Sequence, residues 1–178
     1  QVTDGEAEAY ASELCRIGYV DAVVTEDMDT LAYGCPTLIT SCKDKSIKRH
    51  DIITTFNFNK IIEDFKMNHD QFIDMCILCG CDYCPTIPKV GSVRALNNIQ
   101  EYKTIESYLE KCNITVSEEF LKKYILSRGL FKIFKDKIDI NNLPIHNSKY
   151  DSEKLYNYLV HECSMNEKRI QTSLNKIK

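Results

Sequence analysis

The sequence predicts an α/β fold in which a small α/β part comes first and a helical part follows. Two short stretches with strand character lie early in the chain, at residues 19–25 (YVDAVVT) and 37–41 (TLITS). From about residue 59 onward, apolar residues recur at helical spacing. With 178 residues, 43% of them hydrophobic, the chain has enough apolar side chains for a domain with its own core.

The first helix is predicted to open at a capping box of Thr3 and Glu6 and to run to about Ile17, before Gly18. The first strand follows at residues 19–25, then a second strand and a polar, basic loop. One helical stretch is expected over residues 59–79, and its buried face should hold Ile61, Ile62, Phe65, Phe72, Met75, Cys76 and Cys79. A helix–turn–helix at about 83–100 has its second helix opened by Ser92. Only helices are expected after it, and the last carries Met165, Ile170, Leu174 and Ile177.

Composition narrows the class of protein. The net charge of −3 argues against a strongly basic nucleic-acid-binding surface. No apolar run approaches the ~18 residues that a membrane span needs, so no membrane partner is expected. The opening residues QVTDGEAEAY do not resemble a signal peptide, and nine cysteines are then best interpreted as reduced thiols. The expected location is nuclear, or cytoplasmic for the protein of a virus that replicates there.

Three acidic groups are candidate metal ligands. Glu6 and Glu8 lie in the first turn of the first helix, Asp27 and Asp29 follow a strand, and Asp82 lies in the loop after the long helical stretch. Strand ends and helix starts meet at one edge of an α/β sheet. Carboxylates gathered there repel one another unless cations neutralise them, and oxygen ligands suit Mg²⁺ or Mn²⁺. The alternative is that these acids are helix caps and solvated turn residues.

Three segments carry a resemblance to a known family. The segments GEAEA at 5–9, TEDMDTLAYG at 25–34 and QFIDMCILCGCDYCPTI at 71–87 resemble, in order and separation, the internal region of flap endonucleases, which are XPG/Rad2-type 5′ nucleases. The resemblance implies a partial 5′-nuclease (PIN-like) core with a largely parallel sheet over residues 1–84. It implies a helical region over 85–178 with a helix–two-turn–helix at about 83–100.

The same resemblance implies an activity and a site. The expected enzyme is a flap endonuclease with 5′–3′ exonuclease activity in replication and repair. Its two Mg²⁺ or Mn²⁺ ions would be held by Glu6, Glu8, Asp27, Asp29 and Asp82. The expected partner is branched or flap DNA with duplex arms. A sliding-clamp partner cannot be inferred, because the final residues contain no clamp-binding peptide of the family's kind.

The family's site also includes two aspartates upstream of the Glu-x-Glu segment, and only five residues precede Glu6 here. We therefore expect the chain to carry part of an active site, as a fragment or with the rest on another polypeptide. The isolated chain is expected not to cut a 5′ flap. The alternative function is a non-catalytic fragment that binds duplex DNA.

The resemblance also implies roles in the hairpin at 83–100. Backbone oxygens of Thr86, Ile87 and Val90 would hold K⁺ against a DNA phosphate. The expected DNA-binding residues are Lys89, Gly91, Ser92 and Arg94. The sequence departs from the family at the usual Gly-x-Gly, which is Lys89-Val90-Gly91, and a lysine disfavours a backbone conformation that glycine adopts freely. The alternative is a plain helix–turn–helix packing unit.

The remaining clusters are expected to be structural. Cys76, Cys79, Cys81 and Cys84 suggest a zinc or iron–sulfur site, but their spacing fits neither a zinc ribbon nor a ferredoxin, so no metal is expected. Charged residues outside the five carboxylates and the hairpin are expected on solvated faces or in solvated turns, and the alternative for the basic ones is contact with DNA. The basic ones are Lys43, Lys45, Lys48, Arg49, Lys122, Lys123, Lys132 and Lys135, and the acidic ones are Glu26, Glu63, Asp64, Asp70 and Asp74.

Overall fold

The structure, a computed structural model, describes residues 5–41, 52–139, 143 and 151–176. Packing divides the chain into two compact units, Gln1–Ile140 and Asn141–Lys178. The described elements of the first unit are α1 (Ala7–Arg16), β1 (Val23–Val24), α2 (Asp29–Ala32), β2 (Thr37–Ser41), β3 (Ile53–Asn57), α3 (Phe58–Phe65), α4 (His69–Cys79), α5 (Ser92–Tyr102), α6 (Ile105–Lys111) and α7 (Glu118–Leu130). The α/β fold class predicted from the sequence is confirmed. The functional division near residue 84 stays a prediction.

The sheet has the strand order β1-β2-β3. Strand β2 runs parallel to β1, with Leu38 opposite Val23, and antiparallel to β3, with Leu38 opposite Phe56. Leu38 is fully buried at the centre. The prediction did not include β3, because its sequence ITTFN follows a polar stretch and its side chains are only exposed or half-buried. One of the two strand pairs is therefore antiparallel.

Helix α1 ends where the sequence predicts, but β1 is shorter than expected. The C-cap of α1 is Ile17, and Gly18 follows with a positive φ of 75°. The chain then folds back, and the Tyr19 N–H donates to the Leu14 carbonyl over 2.9 Å. This turn uses residues that were expected to be strand. At the other end, Glu6 is the N-cap and makes no side-chain cap hydrogen bond; Thr3 lies outside the described residues.

The single helical stretch predicted over residues 59–79 is in fact two helices, α3 and α4. Lys66 ends α3 in a left-handed conformation, with φ of 54°. Asn68 then opens α4 with a capping box, in which its side chain accepts from the Gln71 N–H and the Gln71 side chain accepts from the Asn68 N–H. The break lets both helices contribute to one core. Phe72 of α4 makes an edge-to-face contact with Phe58 of α3, with ring centroids 5.5 Å apart.

The core of the first unit spans both its α/β part and its helices. Helix α4 packs against α5 and α7, and α5 packs against α6. The residues that are completely inaccessible at this centre are Leu38 of the sheet and, from the helices, Ile73, Ile77, Leu78, Ala95, Ile99 and Ile105. Burying each large aliphatic side chain stabilises the fold by about 1.5–3 kcal/mol. The loop that carries Asp82 lies between two of these packed helices, so both of its ends are anchored.

Asp74 is not solvated as the sequence suggested. It is 3% exposed, and its two carboxylate oxygens accept hydrogen bonds of 2.5 and 2.6 Å from the Arg128 guanidinium. One oxygen also accepts from the Ile105 N–H over 3.1 Å. Arg128 in turn binds Glu106 at 2.6 Å. This Asp74–Arg128–Glu106 network joins α4, α6 and α7 through side chains that are far apart in sequence.

The other charged clusters follow the expectation where they are described. Lys122 and Lys123 pair with Glu118 and Glu119 one turn away on the exposed face of α7. Lys132 reaches the exposed Asp70 at 2.6 Å. The basic loop residues Lys43, Lys45, Lys48 and Arg49 lie outside the described residues.

The second unit contains α8 (Ser152–Asn157), a π-helical segment (Tyr158–Glu162) and α9 (Glu167–Leu174). Ile170 and Leu174 lie on α9, as predicted, and are buried, whereas Met165 lies before this helix begins and is 49% exposed. Ile177 lies outside the described residues. Within residues 5–41, 52–139 and 151–176, no helix is both long and apolar enough to cross a membrane.

Candidate metal-binding site and hairpin

The turn after β1 positions the first two candidate ligands. The Asp27 N–H donates to the Thr25 hydroxyl over 3.2 Å, and one Asp27 carboxylate oxygen accepts from the Asp29 N–H over 2.9 Å. Aspartate commonly makes such a local bond at a turn two residues before a helix. Asp29 thereby becomes the first residue of α2. Its side chain is half-buried, whereas Asp27 is exposed.

Three of the predicted carboxylates lie within electrostatic range of a fourth, Asp29. Burial raises the pKa of Asp29, and the negative charges of Asp27, Asp82 and Glu6 raise it further. These four side chains come from three separate segments: the start of α1, the β1–α2 turn and the loop after α4. Glu8 lies in the first turn of α1 and is not among the carboxylates that raise the pKa of Asp29.

The donor chemistry at this place fits a hard divalent cation. A half-buried carboxylate beside three others is disfavoured in its charged form, and a nearby cation reverses that preference. Carboxylate oxygens are the ligands that Mg²⁺ and Mn²⁺ prefer. Among the residues that the structure describes, no group of three or more His, Cys, Asp or Glu side chains already stands in metal-binding geometry. The metal-ligand roles of Glu6, Glu8, Asp27, Asp29 and Asp82 therefore stay predictions.

Two tyrosines that the sequence analysis did not single out lie beside the carboxylates. The hydroxyls of Tyr33 and Tyr83 share a hydrogen bond of 2.7 Å, and both rings pack on Phe131. Burial raises the pKa of Tyr83, as do the negative charges of Glu6 and Asp29. Tyr83 is therefore a neutral hydroxyl next to Glu6. Both tyrosines lie in the matched segments, but spacing does not show that residues 33 and 83 meet.

Asp82 is presented by a two-residue turn. Cys81 and Cys84 form an isolated antiparallel bridge around Asp82 and Tyr83, and the Cys84 N–H donates to the Cys81 carbonyl over 3.4 Å. Gly80, just before the turn, has a φ of 111°, and a Cβ there would meet the Thr86 methyl group at 2.9 Å. Asp82 itself is exposed. The loop therefore holds this carboxylate outward from a constrained backbone.

The hairpin places its predicted DNA-binding residues together on one exposed stretch. Helix α5 begins at Ser92, as expected, with Gly91 as its N-cap. Lys89 has a left-handed backbone with φ of 65°, and its carbonyl accepts from the Arg94 guanidinium over 2.8 Å. Lys89, Gly91, Ser92 and Arg94 are all exposed. Arg94 thus braces the turn, and its predicted contact with DNA stays a prediction.

The three predicted K⁺ ligands occupy different environments. Thr86 is exposed, Ile87 is buried, and Val90 is half-buried. The Ile87 carbonyl accepts from the Val90 N–H over 3.1 Å, which closes the turn. A carbonyl oxygen has a second lone pair, so this bond leaves room for a cation.

Replacing Lys89 with glycine is expected to stabilise the protein. A left-handed backbone costs a non-glycine residue about 1–2 kcal/mol, and glycine removes that cost. Part of the gain is lost again, because glycine has more conformational freedom than lysine in the unfolded chain. The expected net gain in the free energy of unfolding is about 0.5–1 kcal/mol, measured from urea unfolding. Lys89→Ala removes the same charge without relieving the backbone and is the matched control. Equal stability of the two variants would show that the backbone at residue 89 is not strained.

The four clustered cysteines are expected to carry no metal in the folded protein. Cys76 and Cys79 lie on α4, and burial raises the pKa of both thiols, which disfavours the thiolate form that binds metal. Elemental analysis of the purified protein should find less than a tenth of an equivalent of zinc or iron, by a rough bound for adventitious metal. This expectation would be contradicted by one equivalent of zinc or iron in the wild type. The metal and the fold would then both be lost when Cys79 and Cys81 become serine.

Sequence comparison relates the chain to a known family model and to named proteins. Residues 2–82 match the XPG I-region family model. Flap endonuclease 1-A of Sorghum bicolor is 38% identical over 176 residues, which cover 97% of this chain and 45% of that protein. Flap endonuclease 1 of Osmerus mordax is 37% identical over 175 residues, again covering 97% of this chain and 45% of the relative. The chain thus spans a little under half the length of these relatives.

Solved structures agree with the sequence relatives. Flap endonuclease-1 from Methanococcus jannaschii superposes with a TM-score of 0.70 at 27% identity, covering 96% of this chain and 50% of that one. The catalytic core of Rad2, solved with a DNA substrate, superposes with a TM-score of 0.72 at 15% identity and shows the shared fold alone. Residues 2–82 thus belong to the XPG I-region family, and the chain as a whole is similar to the internal region of the flap endonucleases.

Proposed function

We propose that the protein to which this chain belongs is a structure-specific 5′ nuclease that hydrolyses phosphodiesters in flap or branched DNA, with 5′–3′ exonuclease activity, in replication and repair. One observation carries the proposal: Glu6, Asp27, Asp29 and Asp82 gather around a half-buried position in a chain that is 38% identical to a flap endonuclease. Like charges held close together destabilise the folded protein, and bound cations would neutralise them. A cation-binding role therefore explains why these carboxylates lie together.

The residues of this chain would hold two Mg²⁺ or Mn²⁺ ions through Asp27, Asp29, Asp82 and Glu6, with Glu8 as the fifth carboxylate. When bound, such ions supply Lewis-acid activation of water and stabilise the leaving oxygen. The turn at Thr25 fixes the backbone of Asp27 and Asp29. The Tyr83 hydroxyl, hydrogen-bonded to that of Tyr33, lies beside Glu6 and would help to orient it.

DNA binding is assigned to the hairpin between α4 and α5. The N-terminus of the 11-residue helix α5 is exposed and presents backbone N–H groups, which bind phosphate well. Lys89 adds a positive charge beside it, with K⁺ at Thr86, Ile87 and Val90 as the accompanying ion. The solved Rad2 core holds a DNA substrate, which supports a DNA-binding role for the same fold here.

The proposal is tested with the complete protein on three substrates of the same sequence: a 5′ flap, a nick-free duplex and a single strand. We expect Mg²⁺- or Mn²⁺-dependent incision near the flap junction, at least about tenfold faster than on the duplex, which corresponds to about 1.4 kcal/mol of transition-state discrimination. Chelation of the metal should stop the reaction. Equal cleavage of flap and duplex would contradict structure specificity, and cleavage in excess chelator would contradict metal dependence.

A second function is a DNA-binding fragment without catalysis. It is supported by the hairpin alone, because the exposed Lys89, Gly91 and Ser92 can contact a DNA backbone whether or not the carboxylates hold cations. The same assay separates the two functions, because the second predicts flap-junction binding without incision at any concentration of Mg²⁺ or Mn²⁺.

A further inference from the structure

The turn that carries Asp82 is flanked by two cysteines whose backbones are paired. Cys81 and Cys84 are partners in an antiparallel bridge, closed by a hydrogen bond of 3.4 Å from the Cys84 N–H to the Cys81 carbonyl. Paired residues on antiparallel segments have Cα atoms about 4.5–5.5 Å apart. That separation falls inside the range of about 4.4–6.8 Å that a disulfide requires. The two thiols can therefore be joined without moving the backbone far.

The other cysteines of the described residues are less suited to the same chemistry. Cys15 and Cys35 pack together in a small buried cluster with Val23, where solvent does not reach them. Burial raises the pKa of Cys35 to about 12 and that of Cys84 to about 11, so the pKa does not separate the two pairs. The difference is access, because a soluble oxidant can reach the half-buried Cys81 but neither cysteine of the Cys15–Cys35 pair. Cys112 and Cys163 are exposed and belong to different units. Cys81, by contrast, is half-buried and has its partner opposite it.

We propose that Cys81 and Cys84 form a reversible disulfide by exchange with a low-molecular-weight disulfide of the glutathione type. The Cys81 thiolate attacks one sulfur of the oxidant, which forms a mixed disulfide and releases one low-molecular-weight thiolate. The Cys84 thiolate then attacks the Cys81 sulfur of the mixed disulfide and displaces the second thiolate. Two protein thiols are oxidised, and one disulfide is reduced to two thiols; the protons lost by the protein are taken up by the released thiolates.

The modification would add a covalent constraint around Asp82 and Tyr83. Both residues lie inside the four-residue ring that the disulfide closes, and both belong to the region where the carboxylates gather. The inference goes beyond the proposed function and holds whether or not the protein cuts DNA. Its test therefore measures the thiols themselves.

The experiment equilibrates the full protein in mixtures of reduced and oxidised glutathione, blocks free thiols with N-ethylmaleimide and digests the protein with a protease that cuts before aspartate. Cleavage before Asp82 separates Cys81 from Cys84, so that their disulfide joins two peptides. We expect this linked pair, lighter by two hydrogen atoms than the two reduced peptides together, to become the main form as oxidised glutathione increases. Dithiothreitol should return both cysteines to the alkylated form.

Single serine variants identify the partner of Cys84. After cleavage before Asp74, Asp82 and Asp136, one peptide carries Cys76, Cys79 and Cys81, and the next carries Cys84 and Cys112. Cys81→Ser and Cys84→Ser should therefore abolish the link, whereas Cys76→Ser, Cys79→Ser and Cys112→Ser should preserve it. Three outcomes would overturn the proposal: Cys81 and Cys84 alkylated at every glutathione ratio, a link that survives Cys81→Ser, or a stable mixed disulfide with glutathione at Cys81. The wild-type result decides the first and third outcomes, even where a variant folds poorly.

Discussion

In the complete protein, Asp27→Asn or Asp29→Asn should abolish cleavage of a flap substrate and leave junction binding largely intact. Neutralising either side chain removes a charge that the proposed site needs to hold its cations. Losing several kcal/mol of charge stabilisation in the transition state corresponds to roughly a thousandfold loss in rate. Binding should survive, because the hairpin assigned to DNA contact lies in a different segment. Rates come from single-turnover cleavage, and affinities from equilibrium binding in Ca²⁺.

Glu26→Gln is the matched control, since Glu26 lies in the same TEDMD segment but binds the Ser41 N–H and hydroxyl. It should cut within about threefold of the wild type, a change well under 1 kcal/mol. Cleavage within tenfold of wild type by both aspartate variants would mean that these carboxylates do not hold the catalytic ions.

Asp29→Asn also tests a prediction about stability that does not depend on activity. The folded-state pKa of Asp29 is raised, so the stability linked to its protonated form is present at low pH and is lost as pH rises through the folded pKa. Asp29→Asn removes this loss and should unfold at the same or a higher temperature than wild type at neutral pH without divalent ions. Added Mg²⁺ or Mn²⁺ should stabilise the wild type more than the variant.

Arg128→Met is expected to destabilise the first unit by about 3–5 kcal/mol. It would leave the 3%-exposed Asp74 carboxylate without its two guanidinium hydrogen bonds, and it would remove the ion pairs that link α7 to α4 and α6. The double variant Asp74→Leu/Arg128→Met removes both charges and should recover most of the loss, because an apolar pair often replaces a buried ion pair well. Urea unfolding measures all three proteins.

Lys132→Met is the control for this second prediction, because Lys132 pairs with the exposed Asp70. An exposed pair contributes about 0–1 kcal/mol. Acid titration gives an independent check, since Arg128 lowers the pKa of Glu106 to about 2. A lowered folded-state pKa means stability that is present above the ordinary value of 4.5 and is lost as pH falls toward 2. In Arg128→Met, the free energy of unfolding should fall less steeply over this pH range. If Arg128→Met lowers the free energy of unfolding no more than Lys132→Met does, the network does not contribute much to stability.

What the sequence could predict was mainly local. The end of α1 before Gly18 and the start of α5 at Ser92 follow from rules about residues a few positions apart, and both were correct. The capping box of Asn68 and Gln71 is also a local signal. It lies inside a continuous helical pattern, and that pattern predicts one helical stretch where the structure has two helices. The α/β class and the family were likewise within reach, because they depend on the order and spacing of motifs along the chain.

Tertiary structure alone decided which distant side chains meet. Helical periodicity places Asp74 in an apolar stretch but does not indicate that Arg128, 54 residues later, covers it. The tyrosine hydroxyls of residues 33 and 83 meet only because α2 and the loop after α4 pack around Phe131. The sequence by itself determined the family resemblance, the end of α1, the start of α5 and the candidate carboxylates, since these depend on residues close together in the chain. The partners of those carboxylates were decided by tertiary packing, because an ion pair or a hydroxyl contact depends on side-chain positions in space and not on separation along the chain.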